Sequence, residues 1–310
     1  MLRDSQIKFS LRAFVCALAC LFVAASASAQ VVADAGDDLS LECAANGIEA
    51  TLDGTGSMVD GAPAAEDIDT DFLWMAVGID FDDDTSVTPT ASFPLGVTTV
   101  TLTVTHTDPD TLDETSDTDT VDVTVEDTTP PLLSVLTTPM LLWPPSHKLH
   151  EIDVALVVDD ACDPDPVIEL TSLVSNEPDN STGDGNTVDD IQEADLGTDD
   201  RSFLVRSERK GNGSGRSYTV TYTATDESGN LTDAVAHVLI PHDQRLKNAA
   251  KKAAKAAKKA HRMAAKAVAK ADRAATRAAK KAAREAKRAA RKAAREAKRA
   301  AKAAEKAGQS

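Results

Sequence analysis

The sequence predicts an all-β chain of two tandem immunoglobulin-like β-sandwiches followed by a long C-terminal α-helix. Three observations lead there. Apolar and polar residues alternate at period two over many short stretches. A proline-bearing interruption, Asp127 to Pro131, divides those stretches into two series. Beyond Pro241 the composition turns to alanine, lysine and arginine, with neither glycine nor proline until Gly308. A chain of 310 residues has room for two sandwiches of about 100 residues each plus extensions. The expected division is a signal peptide over 1–29, sandwiches over 30–127 and 128–243, and a tail over 244–310.

At the N-terminus, Arg3, Lys8 and Arg12 precede the apolar run AFVCALACLFVAA and the tripeptide ASA ending at Ala29, the pattern of a cleaved secretory leader. The apolar run is shorter than the roughly 20 residues that span a bilayer, so no transmembrane insertion is expected. The mature protein is expected to be secreted or held at the cell surface. Cleavage removes Cys16 and Cys20 and leaves Cys43 and Cys162.

In the first series the clearest strand is VTTVTLTVT, where Val100, Leu102 and Val104 share one face, followed by Val121, Val123 and Val125. Weaker strands read at LSLEC, IEATLD and around Trp74. The second series holds IDVALVV, VIELTSLV, SFLVRSE, SYTVTYTATD (Tyr218, Val220, Tyr222, Ala224) and AVAHVLI. Short strands with regular turn signals between them argue for sandwiches. In the tail, Asp243 is placed to cap the helix start and Gly308 its end. The intervening helix formers would span about 95 Å unbroken. KKAAREAKRAA from Lys280 and RKAAREAKRAA from Arg291 repeat at 11 residues, which keeps a small-residue stripe (Ala253, Ala257, Ala260, Ala264, Val268, Ala271, Ala275, Ala282, Ala286, Ala289, Ala293, Ala297 and Ala300) on one face. That stripe is too thin for a stable coiled coil or deep membrane insertion.

Charge is divided as sharply as structure. The formal net charge of −17 combines 9 basic and 46 acidic side chains in residues 1–243 with 24 basic and 4 acidic in 244–310.

ADAGDDLSLEC, ATLDGTGS, Trp74, PLGVTTVTLTVT and DTTPP in the first series resemble the PKD-type immunoglobulin-like modules of bacterial secreted proteins. LWPPSHK, VVDDACDPDP, VSNEPDN, GDGNT, RSERKGNGSGRSYTVTYTATDESGN and VLIPHDQ resemble the hyalin-repeat-like (HYR-like) domains found beside them. The lysine/alanine-rich tail resembles those of histone-like proteins and of some heparin-binding bacterial adhesins. The resemblance implies extracellular adhesive or spacer sandwiches without intrinsic catalysis. In HYR-like domains the cysteine of the DAC-type turn often has a partner later in the domain, where this chain has Tyr222. Two alternatives therefore stand for Cys43 and Cys162: a disulfide across the two domains, or two free or intermolecular thiols.

The acidic loops are the candidates for a metal, because calcium takes six to eight oxygens from flexible turns. One candidate set is Asp80, Asp82, Asp83 and Asp84; the other is Glu177, Asp179, Asp184, Asn186, Asp189 and Asp190. The plainer reading is that these carboxylates cap turns on an acidic surface. Arg206, Glu208, Arg209 and Lys210, the one notable basic cluster of the acidic body, are expected to pair with nearby carboxylates. No nucleophile elbow, phosphate loop or dinucleotide fingerprint occurs, and the chain is not expected to be an enzyme or to require a cofactor.

The tail carries the strongest functional signal. Lys251, Lys252, Lys255, Lys258, Lys259, Arg262, Lys280, Lys281, Arg284, Lys287, Arg288, Arg291, Lys292, Arg295, Lys298 and Arg299 place a charge about every 4 Å along a helix, a spacing suited to phosphate or sulfate polymers. Without aromatics to stack bases, such binding is expected to ignore sequence. Extracellular DNA, lipopolysaccharide or acidic polysaccharide are the expected partners of the tail, a cell-surface or matrix protein or glycan that of the sandwiches. The alternative is a spacer or self-associating matrix protein, stiffened by calcium, whose tail contacts the acidic body.

Overall fold

In the computed structural model the described residues are 29–44, 48–180 and 182–307. Residues 1–28 of the expected leader, with Cys16 and Cys20, and Gly308 lie outside them.

The first sandwich holds β1 (Val31–Val32), β2 (Leu39–Glu42), β3 (Ile48–Thr51), β4 (Met58–Val59), β5 (Ala62–Pro63), β6 (Thr70–Met75), β7 (Thr90–Phe93), β8 (Gly96–Thr107) and β9 (Glu114–Glu126). Its sheets are β2-β9-β8-β6 and β3-β7, with the small sheet β1-β4-β5 at the side. The long hairpin of β8 and β9 organises it. Period two turns Val100, Leu102, Val104, Val121, Val123 and Val125 inward, against Phe72, Trp74 and Phe93. Trp74 is 1% exposed, and its indole N–H donates to the carbonyl of Ser86 at 2.9 Å. Gly54 lets the chain pass close to that ring, since a Cβ there would lie 3.0 Å from both the indole and the carbonyl of Val87 and would push its neighbours back. Between β1 and β2, the carboxylates of Asp117 and Asp119 on β9 accept the N–H groups of Ala33 and Ala35 at 3.0 and 2.8 Å. Side chains thus replace a missing strand partner.

The second sandwich holds β10 (Leu132–Thr138), β11 (Leu149–Asp159), β12 (Val167–Ser175), β13 (Ile191–Gln192), β14 (Ser202–Arg206), β15 (Gly215–Thr225) and β16 (Leu231–Pro241). Its sheets, β10-β11-β14-β13 and β12-β15-β16, reproduce in chain order the ABED and CFG arrangement of immunoglobulin-like sandwiches. Ile152, Leu170, Phe203, Val205, Val220, Tyr222, Val238 and Ile240 fill the core. Tyr222 sits wholly inside, and its hydroxyl donates to the carbonyl of Asp200.

The joint is tied at several points. Cys43 and Cys162, 119 residues apart in sequence, are joined by a disulfide across a Cα–Cα distance of 6.1 Å, so the thiols are neither free nor intermolecular. Glu42 accepts hydrogen bonds from Thr128 and Thr129, and Asn230 donates from its side chain to the carbonyl of Asp127 at 2.8 Å.

One helix, α1 (Gln244–Ala307), follows. Asp243 caps it, accepting the N–H of Leu246 at 2.8 Å. From Ala250 to Ala275 the helix lies along the body. It packs over β10, β11 and β16, covering the seam where an edge strand of each sheet meets the other. Ala250, Ala254, Ala257, His261, Ala264, Val268 and Ala275 are its inward-facing positions, of which Ala250 is fully buried. This corrects the expected stripe: Ala253, Ala260 and Ala271 are exposed, and Ala254 and His261 take inward places. The contact follows alternating steps of four and three from Ala250 to Val268, the 3.5-residue spacing of a helix held along a surface. His261 is accepted because its Nδ1 lies 3.2 Å from the hydroxyl of Ser134. At the helix start, the Lys247 ammonium lies 5.1 Å from the ring centre of Trp143.

Replacing both Cys43 and Cys162 by serine opens a long loop, and a loss of about 3 kcal/mol in urea unfolding is expected. Peptide mapping without reductant should recover the two cysteines in one linked fragment. Two separate free-thiol peptides would contradict the observed pairing.

Candidate functional site

Three places on the chain gather charge: a buried cluster at the end of the second sandwich, the acidic turn of the first, and the outer face of α1.

The buried cluster follows from strand periodicity. On β15 the inward positions are Arg216, Tyr218, Val220, Tyr222 and Ala224, so an arginine stands where the pattern demands a core residue. Arg216 is 1% exposed. A buried guanidinium must be paired and hydrogen-bonded on every side. Its Nη1 donates to Asp190 and, at 3.2 Å, to the hydroxyl of Tyr218; Nη2 donates to the carbonyl of Pro178 at 2.9 Å. Nε lies 3.4 Å from Glu177, and Nη2 3.7 Å from Asp184. Arg206 adds a second cation, its Nε 3.1 Å from Asp190. Glu208 is wholly buried beside them; Thr187 donates to its Oε2, and His147 Nδ1 lies 3.3 Å from that oxygen. Among the described residues, Oε1 of Glu208 has no hydrogen-bond partner.

Electrostatics follow the geometry. Burial works against the charge of Arg216, but hydrogen bonds to Tyr218 and Asp190 more than reverse it and hold its pKa above the ordinary arginine value. Burial pushes the Tyr218 phenol up to about 12. Burial, opposed by Arg216 and reinforced by Glu208, raises Asp190 to about 6.

The loop expected to wrap calcium does fold round a cation, and that cation is Arg216. Glu177, Asp184 and Asp190 turn inward on it. Asp179 instead accepts the backbone N–H groups of Asp189 and Asp190 at 2.8 and 2.7 Å, which holds its pKa low. Asn186 and Asp189 are exposed, at left-handed φ of 56° and 58°. The turn of the first sandwich serves capping: Asp82 accepts the N–H groups of Asp83 and Thr90, and Asp83 accepts from the Thr85 amide and hydroxyl. Asp80 and Asp84 stand beside them, and Asp84 is exposed. Among the described residues, neither predicted set brings three histidine, cysteine or carboxylate ligand atoms within 4.8 Å of one another; the group that does is Asp127, Asp160 and Cys162, two carboxylates and a sulfur that is committed to the disulfide. Asp127 there is buried, and desolvation together with Asp160, Asp226 and Glu42 pushes its pKa up.

On α1, Lys251, Lys252, Lys255, Lys258, Lys259 and Arg262 are exposed, and among the described residues none forms an ion pair with the sandwiches. Lys280, Lys281, Arg284, Lys287, Arg288, Arg291 and Arg295 are exposed as well, while Lys292, Lys298 and Arg299 lie outside the described side chains. Composition singles out these cations but passes over Arg216. Counting back two positions from Tyr218 is the signal that places it in the core.

No family model matches the chain, and no curated protein matches it. Among solved structures it is similar to the fibronectin(III)-like modules of CbhA from Clostridium thermocellum, with 10% identity over 68% of this chain and 94% of that one, TM-score 0.23. It is similar to the protocadherin gammaB4 extracellular domain, with 12% identity over 68% and 34%, TM-score 0.29. A nucleoside hydrolase-related hypothetical protein from Saccharophagus degradans aligns at 17% identity over 31% of this chain and 25% of its own length, TM-score 0.24. At such scores the likeness carries no argument, and the sandwich assignment rests on the strand order described above.

The buried cluster makes a pH prediction. With a folded pKa raised above 3.8, Asp190 contributes stability that is complete below that value and is lost as pH rises through about 6. The melting temperature of the second sandwich should therefore fall from about pH 4 to about pH 6.5 and level off above it, and Glu208→Gln should flatten the decline. A melting temperature that climbs over that window would contradict the assignment.

Proposed function

We propose that the protein is a non-enzymatic extracellular adhesion or binding protein in which α1 holds an anionic polymer while the tandem sandwiches carry and display it. The exposed cation rows of α1 carry this reading. The helix docks through alanine, valine and one histidine, so docking consumes none of the charges of Lys251 to Arg262. A rigid row of ammonium and guanidinium groups facing solvent is what counterion release from a phosphate or sulfate polymer needs. The secretory pattern before Gln30 supports extracellular targets of that chemistry, such as DNA, lipopolysaccharide or acidic polysaccharide.

Removing the helix would uncover the seam between the sheets, so substitution is the cleaner test. The chain from Gln30, with Lys251, Lys255, Lys258, Lys259 and Arg262 all changed to glutamine, is compared with the unsubstituted chain on heparin and on duplex DNA across a salt series. For the unsubstituted chain log K should fall linearly with log salt and be indifferent to DNA sequence; the fivefold variant should bind at least about tenfold more weakly with a shallower slope. Equal binding by the two chains, or none at low salt, would overturn the reading.

A further inference from the structure

The first sandwich is as bare of positive charge as α1 is rich in it. From Gln30 to Asp127 there are 24 carboxylates and not one lysine or arginine. The one histidine there, His106, already lies 3.1 Å from Asp67. Residues 277–306 carry 13 basic and 3 acidic side chains. These two complements lie at opposite ends of the chain. The helix starts beyond β16 and runs back over the second sandwich. By Ala271 and Ala275 it reaches the joint, where it lines a cavity with Asp159, Asp160 and Cys162. Its packing partners up to there are β10, β11 and β16, all of the second sandwich. The rest of the helix continues for about 48 Å at 1.5 Å per residue. With no glycine or proline between Gln244 and Ala307, it continues past the joint without a break.

We propose that residues 277–306 dock on the first sandwich of a second copy of the chain, at the end farthest from the joint, and so link chains head to tail. That end is formed by the β8–β9 turn, and exposed carboxylates of Glu66, Asp110, Asp113 and Glu114 crowd there, opposite the end of β9 that enters the joint. Asp67, Asp69 and Asp108 stand behind them, with Asp67 and Asp108 accepting turn N–H groups. The contact is heterologous, helix against sandwich tip, so each chain offers both a helix and a tip and association can continue past the dimer. The inference rests on the basic helix of the proposed function and names a protein partner for its distal half. An anionic polymer and a neighbouring chain then compete for the same helix.

Sedimentation velocity on the chain from Gln30 tests this at tens of micromolar. At low salt it should sediment as species larger than monomer, with the average size rising with concentration, and return to monomer at about 0.5 M salt. A chain ending at Thr276, which keeps the docked half of α1, should stay monomeric. Asp110→Asn, Asp113→Asn and Glu114→Gln together change side chains that make no hydrogen bond among the described residues, and should weaken association at least about fivefold. Heparin should dissolve the assemblies. A monomeric full chain at low salt, equal association of the Thr276-ended chain, or association unmoved by the triple substitution would overturn the proposal. Monomers that still bind heparin would sink it while leaving the proposed function intact; assemblies that heparin neither binds nor dissolves would sink the proposed function instead.

Discussion

A guanidinium in the core of the second sandwich sets what the rest of that domain must do. Arg216 arrives there because β15 alternates, and a charge so placed is tolerable only if the surrounding chain supplies carboxylates and carbonyls. The loops bearing Glu177, Asp184 and Asp190 are drawn in to meet it, and Glu177 in turn accepts the N–H of Lys210 at 2.7 Å. The chain around Glu208 is sealed beneath them. Arg209, from that same stretch, donates to the carbonyl of His242 at 2.9 Å, one residue before the cap of α1. Pairing one buried charge therefore fixes the end of the sandwich from which the helix departs. From that end, the helix lays its small-residue face along the seam back towards the joint.

The way the helix docks bears on its proposed binding. A helix that anchored itself through ion pairs would spend its cations on its own acidic body, and one that anchored through large apolar residues would need a bulkier groove. Alanine avoids both, because it lets the helix backbone approach the strands closely and leaves lysine and arginine stems to reach outward. The area buried by each alanine is small, so the contact is held by its length, by the Trp143 and Ser134 contacts along it, and by the cap at Asp243.

Much of this fold is legible in the sequence because sandwich strands announce themselves by alternation. The alternating runs through Leu102, Val123, Val154, Leu170, Phe203, Tyr222 and Val238 stand as β8, β9, β11, β12, β14, β15 and β16. By contrast, β7 and β10 give no such signal, because TASF is short and LLSVLTT does not alternate. The loops are harder to read, because what they wrap is decided by a side chain from another strand. Acidic residues spaced through Glu177 to Asp190 look the same whether they await a metal or a guanidinium. The pairing of Cys43 with Cys162 depends on how two domains meet, which no local pattern encodes. The helix stripe is half legible for a related reason: the 11-residue repeat describes the distal tail, whereas the docked segment answers to the strands beneath it.

That docking, which among the described residues runs over the second sandwich as far as Ala275 at the joint, underlies both the proposed binding surface and the proposed linkage of chains. Amide hydrogen exchange on dilute chain from Gln30 measures it directly. Slow exchange is predicted over 250–275 and markedly faster exchange over 277–307, both before and after the salt is raised, since among the described residues docking uses small side chains and a hydrogen bond and no ion pair. Equally fast exchange along the whole helix, or protection of 250–275 that vanishes with salt, would contradict it.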